Sequence, residues 1–173
     1  FEYLMPAILL RSHEGTLLAQ SQHAAIEAQL AWGIRRRIPW GVSESGYALV
    51  DAEQHYQYRA FGIPALGLRR DPVEAIVVTP YATALALPLR PRAAVDNLRR
   101  LDELGMVGSY GLYEALDFTP AHLPVGRGSE IVRSYMAHHQ GMILAALDNH
   151  LGAGVLVRRF HADSRVQAAE LLL

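Results

Sequence analysis

The sequence predicts an all-α fold of antiparallel helical hairpins with little sheet. Three stretches repeat apolar side chains at the spacing of an α-helix, and they lie at 17–32, 92–104 and 129–151. Prolines and glycines between these stretches mark the turns that separate one helix from the next. The 173 residues, of which 51% are apolar, suit a single domain over residues 1–173 with a sizeable core.

The first helix is expected to begin after Thr16 and to end at Gly33, because a glycine in the left-handed conformation commonly caps a helix. Pro39 then leads into residues 40–47, where two glycines accompany an acid and two aromatic rings. Proline and glycine together predict a shaped loop rather than a regular element, and such a loop can hold Glu44 in one place.

This loop is the first candidate site, because its side chains suit a sugar. Aromatic faces can stack on a sugar ring while polar side chains meet its hydroxyl groups. A polar surface turn with two semi-buried aromatic rings is the alternative. The side chains concerned are Trp40, Ser43, Glu44, Ser45 and Tyr47.

Residues 51–61 are rich in polar aromatic side chains. Tyr56 and Tyr58 flank Gln57, so a period of two places both rings on one face of an extended segment that could line a groove. One face of a half-buried hairpin is the alternative. Short extended or buried pieces are then predicted at Leu66, Leu68 and 76–78.

A helical hairpin is predicted next. Pro80 suits the first position of a short helix that carries Tyr81 near its start and stops at Pro88. Pro91 begins a second helix, which Gly105 caps. So short a connection makes the two helices antiparallel neighbours.

Residues 108–117 form a second candidate site, because they repeat the glycines, tyrosines and acid of the first loop. Glu114 lies there in apolar company, with Tyr113 before it and Asp117 after it. The prolines and glycines of 120–128 predict a flexible linker that could serve as a mobile flap.

Ser129 is expected to cap a helix of about six turns that ends near Gly152. Its middle carries His138, His139 and Gln140. Consecutive histidines differ by about 100° of helix rotation, so they cannot share a ligand face, and a zinc site on them is not expected. We expect one histidine to face a cleft and the other to pack. A final helix is predicted to begin at Asp163 and to continue through Val166, Ala169 and Leu172.

Composition excludes several functions. The absence of cysteine removes thiol catalysis, disulfides and thiolate metal sites. A net charge of -1 with scattered charges argues against a nucleic-acid partner, and the basic run at 35–37 is expected to be a solvated helix end. The chain has no Gly-x-Ser-x-Gly elbow and no lysine for a P-loop. No metal or other cofactor is expected.

Two acids in aromatic, glycine-rich loops match what a two-carboxylate glycosidase requires. One acid protonates the leaving oxygen, and the other, ionised, acts as base or nucleophile. Apolar sequence neighbours favour Glu114 as the acid, whereas Ser43 and Ser45 could hydrogen-bond an ionised Glu44. Asp51 and Asp117 are reserve candidates for the catalytic acids, and capping of loops and turns is their alternative role.

Several motifs, in order along nearly the whole chain, are those of a known family. They are FEYLMP (1–6), PWGVSES (39–45), YQY (56–58), FGIP (61–64), PYA (80–82), YGLYEALD (110–117) and YMAHHQGM (135–142). Together they resemble the glucoamylase-like domain of bacterial cyclic β-1,2-glucan synthases.

The resemblance implies an (α/α)6 toroid with a central cleft for β-1,2-glucan, of which this chain would be roughly the C-terminal half. It also implies a cytoplasmic domain of a bacterial inner-membrane protein, beside a membrane-embedded glucosyltransferase and a phosphorylase-like domain, that closes the glucan ring by transglycosylation. Glu44 and Glu114 lie in matching motifs as the catalytic pair. Half a toroid would expose apolar helix faces, so we expect a homo-oligomer or a domain swap.

A carbohydrate-binding or structural module, in which the same side chains hold glucan without catalysis, is the alternative function. The side chains expected to contact the glucan are Trp40, Ser43, Ser45, Tyr47, Asp51, Tyr56, Gln57, Tyr58, Tyr81, Tyr113, Asp117, His138, His139 and Gln140.

Overall fold

Helices make up most of the regular structure in a computed structural model that describes residues 1–67 and 75–170. Within these residues the helices are α1 (Leu17–Arg36), α2 (Pro80–Ala84), α3 (Pro91–Glu103), α4 (Ala137–Leu151), α5 (Val155–Phe160) and α6 (Ser164–Glu170). Short 3-10 helices lie at Met5–Ile8 and Pro120–His122. The prediction of a mostly helical chain is therefore confirmed, although small sheets accompany the helices.

In the part of the chain that the structure describes, short antiparallel strands form three small sheets. The strands are β1 (Ser45–Val50), β2 (Tyr56–Arg59), β3 (Val77–Val78), β4 (Val107–Gly108), β5 (Gly111–Leu112), β6 (Ala115–Asp117) and β7 (Glu130–Val132). β1 pairs with β2, β6 lies between β3 and β7, and β4 pairs with β5. An isolated bridge joins Val42 to Val78 and ties the first candidate loop to the three-stranded sheet.

The helix predicted from Ser129 is wrong over its first two turns. Residues 130–132 form β7 instead, and α4 begins only at Ala137. Val132 pairs with Ala115 of β6, and both side chains are fully buried. Apolar spacing cannot distinguish a short buried strand from a helix segment, and here the distant pairing partner decided. The predicted end near Gly152 is confirmed, since Gly152 is the C-cap of α4.

The first helix begins as predicted and ends later than predicted. The Thr16 side chain accepts a hydrogen bond from the Ala19 N–H at 3.3 Å, which caps α1. Gly33 lies inside the helix, and a Cβ there would be 3.1 Å from Cβ of Trp40. Gly33 is therefore needed for close packing, while Arg37 adopts the left-handed cap with φ of 58°.

The loop predicted over 40–47 is irregular only as far as Glu44, because β1 begins at Ser45. Gly41 adopts φ of +115°, which agrees with the expected need for glycine. The extended segment predicted around Tyr56 is confirmed as β2. The helical hairpin is also confirmed, since α2 and α3 begin at their prolines and pack on each other.

Asn97 on α3 holds the start of the candidate loop. Its Oδ1 accepts a hydrogen bond from the Trp40 N–H at 3.1 Å, and its Nδ2 donates to the Trp40 carbonyl at 2.9 Å and to Thr83 Oγ1 at 2.8 Å. Both Asn97 and Trp40 are buried, so the N–H and the carbonyl of Trp40 cannot form hydrogen bonds with solvent instead.

We therefore expect Asn97→Ala to lower the free energy of unfolding by roughly 2 to 4 kcal/mol, because it leaves buried polar groups of Trp40 without partners. Urea unfolding of both proteins measures the difference. Arg99→Ala, an exposed change on the same helix, serves as the control and should cost less than about 0.5 kcal/mol. A loss of similar size in both variants would show that Asn97 does not anchor the loop.

Two parts of the sequence-based predictions lie outside the described residues: the piece at Leu68 and the part of the final helix at Leu172. Among residues 1–67 and 75–170, no helix combines the length and the apolar character needed to cross a membrane. The dimer or domain swap stays a prediction.

Candidate active site

Glu114 is a buried acid whose carboxyl group is held by nitrogen atoms from two distant elements. Its Oε1 accepts a hydrogen bond from the Gly46 N–H of β1 at 3.1 Å. Nδ1 of His139, in the first turn of α4, lies 2.9 Å from both carboxylate oxygens. The side chain of Glu114 has no exposed surface. A Cβ on Gly46 would lie 3.3 Å from Cγ of Glu114, so a glycine allows this close approach.

The imidazole of His139 is packed against tyrosine rings. It stacks on Tyr81 with ring centroids 3.9 Å apart and planes 18° apart, and Tyr58 lies farther off at 6.2 Å. His139 is 2% exposed, whereas His138 is exposed and its ring lies 6.4 Å from that of Tyr58. One histidine therefore packs and its neighbour faces outward, as expected for consecutive helical positions.

Glu44 is the more accessible of the two acids. Its side chain is half-buried, and its Oε1 accepts a hydrogen bond from the Tyr58 hydroxyl at 2.7 Å. The Tyr81 hydroxyl donates to the Glu44 carbonyl at 3.1 Å and shares a 2.7 Å hydrogen bond with Ser43. Tyr58 and Tyr81 thus connect the segment of Glu44 to the His139–Glu114 pair.

Both of these tyrosines remain hydroxyl donors at neutral pH. Burial, followed by the hydrogen bond to Glu44, raises the pKa of Tyr58 well above its usual value. Burial also raises the pKa of Tyr81, and the negative charges of Glu44 and Glu114 add to that rise, whereas its hydrogen bond to Ser43 opposes it. A phenol that stays protonated can position an acceptor such as the Glu44 carboxylate.

The surroundings of the two acids differ from those that sequence neighbours suggested. Ser43 bonds Tyr81 rather than the Glu44 carboxylate, and within the described part of the chain the Ser45 hydroxyl is buried without a hydrogen-bond partner. Glu114 has polar partners despite its apolar sequence neighbours. The expected serine bonds to Glu44 are wrong, because the fold turns those hydroxyls away from it.

Trp40 is not available to stack on a sugar. It is 6% exposed and belongs to a core cluster with Ile26, Tyr81 and Leu85. The expectation that its ring forms a binding surface is therefore wrong. Removing this large apolar ring from water stabilises the folded protein, which is the physical reason for its place in the core.

The reserve acids both accept hydrogen bonds from nearby backbone. Oδ1 of Asp51 accepts from the N–H groups of Glu53 and His55 in the turn between β1 and β2. Asp117 is fully buried, and it accepts from the Thr119 N–H at 2.8 Å and, across the sheet, from the Ala48 N–H at 3.0 Å. Both geometries are those of turn caps and strand ties.

The remaining predicted contacts are spread over several elements. The half-buried Tyr47 ring packs edge-on against Phe61 at 5.5 Å, and Gln57 pairs with Tyr47 across β1 and β2. The Tyr56 hydroxyl accepts a long hydrogen bond from the Arg133 N–H at 3.4 Å. Nε2 of Gln140 donates to the Leu112 carbonyl at 2.9 Å, and Tyr113 packs against Tyr135 at 5.2 Å.

Sequence reasoning missed two features of this region. The Gly46 N–H is a donor to Glu114, and no side-chain pattern reveals a backbone donor. His122 lies 2.7 Å from Asp117 and 4.9 Å from the Tyr47 ring, in a segment predicted only as a linker. The sequence signal for this contact was the spacing of five residues between Asp117 and His122. No cluster of histidine and acidic side chains within residues 1–67 and 75–170 could hold a metal ion.

Comparison with known proteins identifies relatives of this chain. A family model named Glycoamylase and described as "Putative glucoamylase" matches residues 9–164. The chain is 44% identical over its 173 residues to the cyclic β-(1,2)-glucan synthase NdvB of Rhizobium meliloti (strain 1021), and it spans 6% of the length of that protein.

Solved structures share the fold. An endo-β-1,2-glucanase from Chitinophaga pinensis, in complex with sophorotriose and glucose, matches with a TM-score of 0.64 and 20% identity over 93% of this chain and 37% of its own. A β-1,2-glucanase from Parabacteroides distasonis matches with a TM-score of 0.66 and 17% identity over 94% of this chain and 22% of its own. At these identities the likeness concerns the fold alone.

Proposed function

This chain belongs to the glucoamylase family, and from that premise we propose that it is a glycan-active domain that acts on β-1,2-glucan by a two-carboxylate mechanism. We place this activity within a cyclic β-1,2-glucan synthase, where it would close the glucan ring by transglycosylation. The observation that carries the proposal is the convergence of Glu44 and Glu114 on one set of aromatic side chains. The 44% identity to a named cyclic glucan synthase supports the choice of glycan.

The hydrogen bonds around the two acids favour distinct roles. The Gly46 N–H donates to Glu114, and Nδ1 of His139 lies 2.9 Å from both carboxylate oxygens. With the His139 tautomer that carries its proton on Nδ1, both contacts suit an ionised carboxylate, because that form only accepts hydrogen bonds. Within the described chain, Glu44 bonds Tyr58 through Oε1, so Oε2 can carry a proton. We therefore assign Glu114 as the nucleophile and Glu44 as the acid and base, the reverse of the roles that sequence neighbours favoured.

The proposed reaction proceeds in two displacements. The Glu114 carboxylate attacks the anomeric carbon and forms an ester bond while the glycosidic carbon–oxygen bond breaks, and Glu44 gives its proton to the leaving oxygen. A hydroxyl group at the far end of the same glucan then attacks that carbon, passes its proton to Glu44 and releases Glu114. Ring closure favours this retaining route, because the ester intermediate conserves the energy of the broken glycosidic bond for the next transfer, whereas an inverting hydrolysis would release it to water.

The burial of Glu114 bears on the proposal. A sugar can reach this carboxylate only if the side chains around it separate when substrate binds. The same burial favours the second candidate function, a glucan-binding module in which Glu114 only supports the fold. Turnover distinguishes the two functions.

The test is to incubate the full-length protein that carries this chain with linear β-1,2-glucan, without nucleotide sugar or phosphate, and to analyse the products by mass spectrometry. Omitting those compounds prevents elongation and phosphorolysis from changing the glucan. We expect cyclic products, each lighter by one water than the linear chain of equal length, or shortened chains. Linear β-1,3-glucan is the control and should stay unchanged. Binding of β-1,2-glucan with no new product would establish the binding module instead.

A further inference from the structure

The hairpin of β4 and β5 presents a tyrosine that has no role in the core. Gly108 pairs with Gly111, so Ser109 and Tyr110 form a two-residue tip. Tyr110 is 82% exposed at this tip. Within residues 1–67 and 75–170, burial of apolar area therefore does not account for a large aromatic side chain at this position.

One tyrosine contacts the Tyr110 ring, and a second packs against that tyrosine. Tyr110 packs edge-on against Tyr135, with ring centroids 5.6 Å apart and planes 85° apart. Tyr135 in turn packs against Tyr113 at 5.2 Å. These contact distances are those of favourable aromatic pairs. The three rings, Tyr110, Tyr113 and Tyr135, are called the tyrosine cluster below.

The backbone beneath the tyrosine cluster is shaped to admit the rings. A Cβ at Gly108 would lie 2.3 Å from the Tyr135 hydroxyl oxygen and 2.4 Å from Cζ of Tyr113. Any side chain at position 108 would therefore displace both rings. The Tyr113 N–H donates to the Met106 carbonyl at 2.8 Å, and Gln140 donates to the Leu112 carbonyl. These bonds fix the hairpin, so a ligand would meet a preorganised surface.

The chemistry of the tyrosine cluster suits a neutral sugar. Residues 104–113 contain no charged side chain, so this stretch offers no cation to a phosphate or carboxylate. Tyrosine supplies a flat apolar face with a hydroxyl handle, which matches the apolar face and the hydroxyl rim of a pyranose. The cluster is also close to the backbone of Glu114, because the Glu114 N–H donates to the carbonyl of Ser134, the residue before Tyr135.

We propose that the tyrosine cluster is a binding site for one glucosyl unit of a β-1,2-glucan chain, separate from Glu44 and Glu114, with Tyr110 as the stacking face. The choice of glucan rests on the proposed function. Tyr135 and Tyr113 orient the Tyr110 ring, and the site binds a distal part of the glucan while another part occupies the acids.

The test measures binding of linear β-1,2-glucan oligosaccharides of increasing length to the full-length protein by calorimetry, in a Glu44→Gln background that limits consumption of the ligand. Tyr110→Ala should weaken binding by about two- to tenfold for oligosaccharides long enough to reach the tyrosine cluster. Shorter oligosaccharides should bind equally well. Tyr110→Phe keeps the stacking face and loses only the hydroxyl, so it should weaken binding less than Tyr110→Ala does. Val107→Ala, on the same exposed hairpin, should bind like the parent.

Equal affinity of Tyr110→Ala and its parent at every length would overturn the proposal, and so would an equal loss in Tyr110→Phe. A length-dependent loss in Tyr110→Ala, in a protein whose wild type makes no new products, would keep the binding site and reject the catalytic function. Formation of new products by the wild type, with no effect of Tyr110→Ala on binding, would keep the catalytic function and reject the binding site.

Discussion

Replacing Glu44 or Glu114 with glutamine is expected to lower the turnover of linear β-1,2-glucan by about a thousandfold, while the glucan still binds. The amide keeps the size of the side chain but can neither donate a carboxyl proton nor attack the anomeric carbon. Initial rates of product formation, together with calorimetric binding, measure both parts of this result in the full-length protein.

Glu53→Gln is the matched control for this prediction, because Glu53 is an exposed acid in the turn between β1 and β2. Its turnover should equal that of the wild type. Glu114→Gln places an amide against two N–H groups, so thermal unfolding should accompany the kinetics to show that the variant is folded. Near-normal turnover in either variant would remove that residue from the mechanism, and Asp51 and Asp117 would be tested next.

His139 is expected to act as a positioning residue, since it is 2% exposed and bonds Glu114 through Nδ1. An asparagine places its amide nitrogen close to the position of Nδ1, whereas the longer glutamine does not. We therefore expect His139→Gln to lower kcat by about a hundredfold, because a carboxylate displaced by about 1 Å attacks poorly. His139→Asn should recover a large part of kcat, and KM should change little in both variants.

The asparagine and glutamine variants are preferable to His139→Ala. The alanine variant leaves the buried Glu114 carboxyl without one hydrogen-bond partner and opens space in the core, at a cost of roughly 1 to 3 kcal/mol or more, so it risks unfolding. His150→Asn, an exposed change on the same helix, is the control and should leave kcat unaltered. Equal kcat values for His139→Asn and His139→Gln would contradict positioning through Nδ1. A rise in KM alone would instead indicate a substrate contact.

Element boundaries set by short-range chemistry could be predicted from the sequence. Thr16 caps α1, proline occupies the first turn of α2 and of α3, and Gly105 adopts φ of +83° after α3. Each of these signals acts within one helical turn of its own residue, so no distant partner is needed to interpret it. The candidate acids could also be selected, because Glu44 and Glu114 stand among glycines and aromatic residues.

Longer-range choices could not be predicted in this way. Ile131 and Val132 fit a helical period equally well, and pairing with β6 makes them a strand. The serines beside Glu44 were its expected partners, but Tyr58, 14 positions away, provides the hydrogen bond. The Trp40 ring was expected to stack on a sugar, but hydrogen bonds from Asn97, 57 positions away, hold the Trp40 backbone in the core.

By itself the sequence determined the mostly helical class, the absence of thiol chemistry and the two acids worth examining. The tertiary structure decided what surrounds those acids. Glu114 acquires the Gly46 N–H from 68 positions away and His139 from 25 positions away, and it is 1% exposed. The physical reason is that burial and hydrogen-bond partners depend on which distant segments pack together, whereas helix caps and turns depend on neighbouring backbone groups.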